Sequence, residues 1–203
     1  MPRTVDPARH RARRLRIIDA GLGVLAEHGY SGATTAMICK AAGIGSGTFF
    51  HYFPTKDSLV VAAIELGTEE VRDFFAQRTT RTDHRQVLVE YTEHAVAELA
   101  DPRAPDFIRI VGGLIHHPEI TAALAADDEV VRTSLTTHAR SATKAGQIDT
   151  ALEPERVAAW IMVLLEGLAG RIASDDSFDA MREIPVFRRL LGALLDDGRS
   201  ISS

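Results

Sequence analysis

Apolar residues recur three and four positions apart along almost the whole chain, and turn-forming residues divide that pattern into helical segments. Ile17, Ile18, Leu22 and Leu25 share one face and predict a first helix that Gly29 ends before Tyr30. Thr34 or Thr35 can cap a second helix, with Met37, Ile38 and Ala41 on its inner side. Gly43 follows where a helix end takes up positive φ, which glycine adopts without steric cost. Gly45 and Ser46 cap a short third helix through Thr48, Phe49 and His51, and Pro54, lacking an N–H, forbids its continuation. Thr55 then caps a long helix carrying Leu59, Val60, Ala63, Ile64, Leu66 and Val71 to about Gln77.

Further helices are predicted over 84–100, from Pro105 to His116, from Glu119 to about Ala145, and from Glu155 to Ala173 behind Pro154. A last helix is expected to start at Pro185 and reach about Asp196. No segment alternates at period two for long enough to demand a strand, and the chain contains no repeat or low-complexity stretch. The first dozen residues and the last six have the composition of disordered ends.

Two helices meeting at a glycine turn of three or four residues form a helix-turn-helix, the geometry that lays the second helix in the major groove of DNA. The stretch from about Ile17 to Val60 closely resembles the DNA-binding domain of the TetR family of bacterial transcriptional repressors. The likeness rests on Ala42-Gly43-Ile44, on Gly47-Thr48-Phe49-Phe50-His51-Tyr52-Phe53 and on Lys56-Asp57-Ser58-Leu59. It implies an all-α protein with two parts. Residues 1–54 would hold a basic N-terminal arm and a three-helix helix-turn-helix domain; residues 55–203 would form a helical domain for effector binding and dimerisation. The implied function is a repressor that grips a pseudo-palindromic operator as a homodimer and is released by a small effector, for which an apolar molecule is the expectation.

Charge fits that division. The net charge is −5, yet residues 1–60 carry eight Lys or Arg against four acids, so the acidic excess lies beyond them. Arg9, Arg11, Arg13, Arg14 and Arg16 are placed to follow the phosphate backbone or enter a minor groove as a flexible arm, joined by Arg3 in the same basic count. Matched to the family residue by residue, Thr34, Tyr52 and Lys56 fall at phosphate-contacting positions, with Thr48 and Thr35 as further candidates. Ser46, Gly47 and His51 fall where base edges are approached. Three positions depart from the family pattern. Phe50 stands where tyrosine is common, leaving apolar contact with a thymine methyl; Ser46 replaces a frequent lysine; and Ala36 replaces a longer polar side chain. Phe49 and Phe53 read as core.

Pairing of two chains is expected through the last two helices, with Leu164, Gly167 and Leu168 on one and Phe187, Leu190, Leu191 and Leu194 on the other. Phe107, Ile110, Leu114, His116, Trp160 and Leu164 are candidates for an effector pocket.

The sequence offers little to an enzyme reading. It contains no Walker loop, nucleophile elbow, dinucleotide fingerprint or CxxC pair, and no cofactor is expected. His116, His117 and Glu119 suggest a metal site only weakly, since adjacent helical side chains point about 100° apart and Pro118 intervenes. A solvated helix end is the expected role, with no metal. An adaptor that keeps the helix-turn-helix only for packing is the remaining alternative. Cys39, the one cysteine, reads as a buried structural thiol. No apolar run is expected to reach the roughly 20 residues that cross a bilayer, and the basic start leads into a helix bearing Asp19 and Glu27, not into a signal-peptide core. A cytoplasmic protein without a membrane partner is therefore expected.

Overall fold

A computed structural model describes residues 6–196, and among them every extended element is an α-helix: α1 (Pro7–Gly32), α2 (Thr35–Ala42), α3 (Ser46–Tyr52), α4 (Lys56–Ala76), α5 (His84–Glu98), α6 (Ala104–Gly113), α7 (Pro118–Lys144), α8 (Pro154–Ser174) and α9 (Ala180–Leu195). The all-α expectation holds. An isolated bridge pairs Asp149 with Asp196.

The first helix begins earlier than its apolar face suggests. Asp6 accepts a hydrogen bond from the Ala8 N–H, Pro7 occupies the first turn where its missing N–H costs nothing, and Arg9 to Arg16 are helical. The flexible arm expected there is thus corrected for the described residues, while Arg3 and the last six residues fall outside them. Gly29 does interrupt the helix, at φ 66° and ψ 171°, and one more turn follows it. At the other end of the chain Pro185 lies inside α9, which Asp179 caps by accepting from the Met181 N–H, so the expected start at Pro185 is also corrected. Ala180, Ile184 and Phe187 explain the extension, because all three pack in one apolar cluster. Helix α6 ends at Gly113, three residues short of the expected His116.

The chain divides into two packing units. One comprises the chain up to Leu66 together with Asp106–Leu124; the other comprises Gly67–Pro105 and the chain from Ala125 onward. The core of the first joins Ile17, Ile18, Leu25, Ile38, Phe49, Leu59 and Ile120, each at most 1% exposed. Its α1 and α4 touch closely at Gly21, where a Cβ would lie 2.7 Å from a Leu59 methyl, so a larger residue would require the buried Leu59 side chain to shift. Cys39 is buried beside this core.

In the second unit α9 packs against α5 and α8. Val87, Leu88, Leu135, Val157, Ile161 and Leu195 are sealed inside it. Helix α8 corrects one expectation: its best 18-residue window has a mean hydropathy of 1.5, which with 21 residues is long and apolar enough to cross a membrane by length and composition. One face of α8 is buried through Val157, Ile161 and Leu168, and another exposes Trp160 and Val163.

Candidate nucleic-acid interface

Local chemistry fixes α2 and α3. The Thr34 hydroxyl accepts from the Met37 N–H at 3.2 Å and starts α2. Gly43 ends it at φ 64° and ψ 39°, with Ile44 N–H donating to Cys39 O at 3.0 Å and Gly43 N–H to Lys40 O at 3.3 Å, which is the Schellman pair of bonds. Gly45 begins α3 without a side-chain cap.

Phe49 and Phe53 hold α3 from beneath, at 0% and 1% exposure, with ring centroids 5.9 Å apart. Their spacing of four residues puts Ser46, Gly47, Phe50 and His51 on the outside, where all four are exposed. Phe50 is 51% exposed; its ring meets Phe49 edge-on at 5.5 Å and offers the rest of its surface to solvent. Thr48 and Tyr52 are half-buried at the margins. This face can donate and accept hydrogen bonds through a hydroxyl and an imidazole, and can meet a methyl group with an aromatic ring.

The basic residues sort into two kinds. Arg13 is exposed, whereas Arg14 lies over the Phe53 ring at 5.6 Å and pairs with Glu65 at 3.5 Å. Thr34 is exposed and already used as a cap, and Thr35 is half-buried beside it. Lys56 is committed to the end of α1: its ammonium donates to the carbonyls of Tyr30 and of Ala33, the latter at 2.8 Å, and sits 4.0 Å from the Tyr30 ring centre. Desolvation lowers its pKa, with the Asp57 carboxylate opposing. A residue expected to contact phosphate is thus also a clamp within the unit.

The same corner contains a three-residue chain. The Tyr30 hydroxyl donates to one Asp57 oxygen, and His117 Nδ1 lies 2.7 Å from the other. Burial alone would raise the Asp57 pKa, but the bonds from Tyr30 and His117 and the charges of His117 and Lys56 hold it below its ordinary range. Burial and Asp57 push the Tyr30 phenol up to about 12. His117 is therefore not the solvated helix-end residue expected from sequence. His116 is exposed, and among the described residues no three His, Cys, Asp or Glu side chains gather as a metal group.

One contributor to the interface was not foreseen. His10 stacks on Tyr52 at 4.5 Å between ring centres and meets His51 edge-on at 6.3 Å. Its position among the arginines of α1 was the only available hint.

Three of the expected effector residues line cavities. Ile110 and Leu114, buried in the first unit, line a cavity of about 350 Å³ with Leu25, Tyr30 and Arg109. Leu164, in the second, lines another of about 300 Å³ with Phe178 and Leu190. The proposed pairing residues also separate: Leu168, Phe187 and Leu191 are buried within one chain, while Leu164, Gly167, Leu190 and Leu194 keep accessible surface. Trp160, Val163, Met181, Val186 and Leu190 are exposed, the last at 49%.

Comparison with known proteins agrees with this geometry. The description of bacterial regulatory proteins of the tetR family matches residues 17–63. The transcriptional repressor AcnR of Corynebacterium efficiens is 30% identical over 179 residues, which cover 84% of this chain and 87% of that one. The transcriptional regulator UidR of Escherichia coli is 22% identical over 182 residues, covering 90% and 92%. Among solved structures, a TetR transcription regulator from Haloarcula marismortui superposes with a TM-score of 0.79 at 20% identity, covering 92% of this chain and 98% of that one. The regulator FadR of Bacillus subtilis, in complex with stearoyl-CoA, superposes with a TM-score of 0.70 at 19% identity, covering 89% and 97%.

Proposed function

From the premise that this chain belongs to the tetR family of bacterial regulatory proteins, we propose that it is a repressor that binds a pseudo-palindromic DNA operator as a homodimer and is released by a small effector. The observation that carries this reading is α3 itself. A seven-residue helix has Phe49 and Phe53 sealed beneath it and turns Ser46, Gly47, Phe50 and His51 outward, all four exposed. Ser46, Gly47, Phe50 and His51 approach base edges. Thr34, Thr35, Thr48, Tyr52, Arg13 and Arg14 contact the backbone, and Lys56 uses its remaining donor there. Residues 1–54 act as the DNA-binding part, and residues 55–203 as the part that pairs and senses.

One such helix is too small for a specific site, so two copies must act together, about 34–36 Å or a multiple of it apart. The exposed face made by Trp160, Val163 and Leu190 supports pairing through α8 and α9. It also gives α8 a use for its apolar surface that needs no membrane, in keeping with a cytoplasmic protein. The naming of AcnR as a repressor supports the sign of regulation, and the stearoyl-CoA bound to FadR supports an effector with an apolar body. Release requires the effector to prefer the geometry that cannot grip DNA, and each tenfold of preference is worth about 1.4 kcal/mol. The chemistry is binding throughout, with no catalytic step.

Selection of duplexes from a random pool by the purified protein tests the reading. Two inverted half-sites at fixed spacing are expected, with affinity falling steeply as salt rises. Recovery of unrelated sequences at low salt would overturn it.

A further inference from the structure

The cavity of about 350 Å³ in the first packing unit lies where α1 is broken, between the end of that helix and α6. Gly29 makes the break at φ 66° and lines the cavity, together with Tyr30 from the turn that follows. The volume is near the lower end of the roughly 300–1,000 Å³ usual for ligand pockets, so a fitting molecule is small.

The lining has an apolar and a charged part. Leu25, Ile110 and Leu114 form the apolar part, and all three are buried. Asp106 and Arg109 are its two charged side chains, paired one turn apart on α6 and exposed by 36% and 46%, so a ligand can reach both. An exposed pair at this spacing contributes little to its helix, and engaging its two ends with a ligand therefore costs little. Opposite charges side by side also select what binds. A lone anion meets the wrong sign at Asp106 and a lone cation meets it at Arg109, whereas a molecule carrying both charges meets each with its opposite.

Tyr30 connects this cavity to the DNA-reading helices. Its hydroxyl donates to Asp57 and its carbonyl accepts from Lys56, so the first two residues of α4 are tied to a residue of the cavity lining. A molecule that displaces Tyr30 displaces the anchor of Lys56 with it.

We propose that this cavity receives the effector and that the effector is an α-amino acid with an apolar side chain. Its carboxylate sits on Arg109, its ammonium on Asp106, and its side chain on Leu25, Ile110 and Leu114. This rests on the regulator reading and names the chemistry of its effector. The apolar side chain keeps the expectation drawn from sequence, and the paired charges are new.

Leucine can be stripped of either charge while its isobutyl group stays. L-leucine, 4-methylpentanoate and 3-methylbutylammonium, titrated calorimetrically into the full chain, therefore read the two charges separately. Leucine is expected to bind roughly tenfold or more tightly than either stripped probe. Arg109→Gln should bring leucine down to the level of 3-methylbutylammonium and leave that amine's own affinity unchanged. Asp106→Asn should bring it down to the level of 4-methylpentanoate. Both variants should melt near the parent, because the pair is exposed. A helical pair of the same spacing on α7, Glu129 with Arg132, supplies the control, and Arg132→Gln should keep the full preference. Equal or tighter binding of a stripped probe, a uniform loss of all three probes in Arg109→Gln, or loss of preference in Arg132→Gln would overturn the proposal. Leucine that binds and leaves operator affinity unchanged would overturn it as well, by removing the effector role. Operator recognition without any leucine preference removes this effector class alone, and leucine preference without DNA recognition removes the regulator reading alone.

Discussion

In the packing unit that carries α3, the large apolar side chains are inside, and Phe50 and Ile115 are the exposed exceptions among the described residues. In the other unit Trp160, Val163, Met181, Val186 and Leu190 face solvent, and two carboxylates are held in surroundings that disfavour their charge. The first unit displays a small polar face with one ring. The second exposes more large apolar side chains, as the proposed pairing requires. The exposed apolar surface thus falls mainly in the unit proposed to pair, and not in the one proposed to read DNA.

The contrast breaks first if the core under α3 is less essential than its burial implies. Phe49→Ala should cost about 3–5 kcal/mol in denaturant unfolding and abolish DNA binding. A cost below about 1 kcal/mol would mean that the helix is held by something other than this ring. Next in size is pairing. Trp160→Glu combined with Leu190→Glu should give a folded monomer in sedimentation, with operator affinity lower by roughly 10²-fold through lost avidity. A dimer that survives both changes would move the interface elsewhere.

Smaller effects sharpen the picture of the first unit. His51→Ala should lose about 2 kcal/mol of discrimination at one base position. Tyr52→Ala should weaken all sites alike. Equal loss of preference from both, read by competition with single-base variants of the operator, would contradict the division between base and backbone contacts. The smallest effect belongs to the Tyr30, Asp57 and His117 chain, where Tyr30→Phe should cost about 1 kcal/mol near neutral pH. Its pH dependence has two sides. The Asp57 carboxylate, lowered when folded, contributes stability that is complete above its ordinary 3.8 and lost as pH falls through the folded value. The Tyr30 phenol, raised from 10.0 to about 12, contributes stability present below pH 10 that is lost as pH rises through 12. Unfolding curves of Tyr30→Phe against the parent should lack the alkaline loss and show a smaller acid one.

The helix-turn-helix was legible because each of its boundaries is a local event. Thr34 caps a helix that starts beside it, and Gly43 turns a chain that bends at it. The starts of α1 and α9 were misplaced although their signals were present, since Asp6-Pro7 and Asp179 are ordinary caps that the search for apolar faces passed over. The clamp made by Lys56 was not readable at all, because its acceptors lie 26 and 23 residues away. Pairing residues were half legible: the stripes on α8 and α9 were visible, but a periodic stripe does not say which of its members face inward.

Cys39 is the only thiol in the chain, and it is shut beneath α2 at 7% exposure. A cysteine introduced at Phe50 would thus be the one sulfhydryl open to a maleimide dye, without any need to strip the native protein of sulfur first. Fluorescence from that single attached reporter would follow the outer surface of α3 as duplex or acid is added.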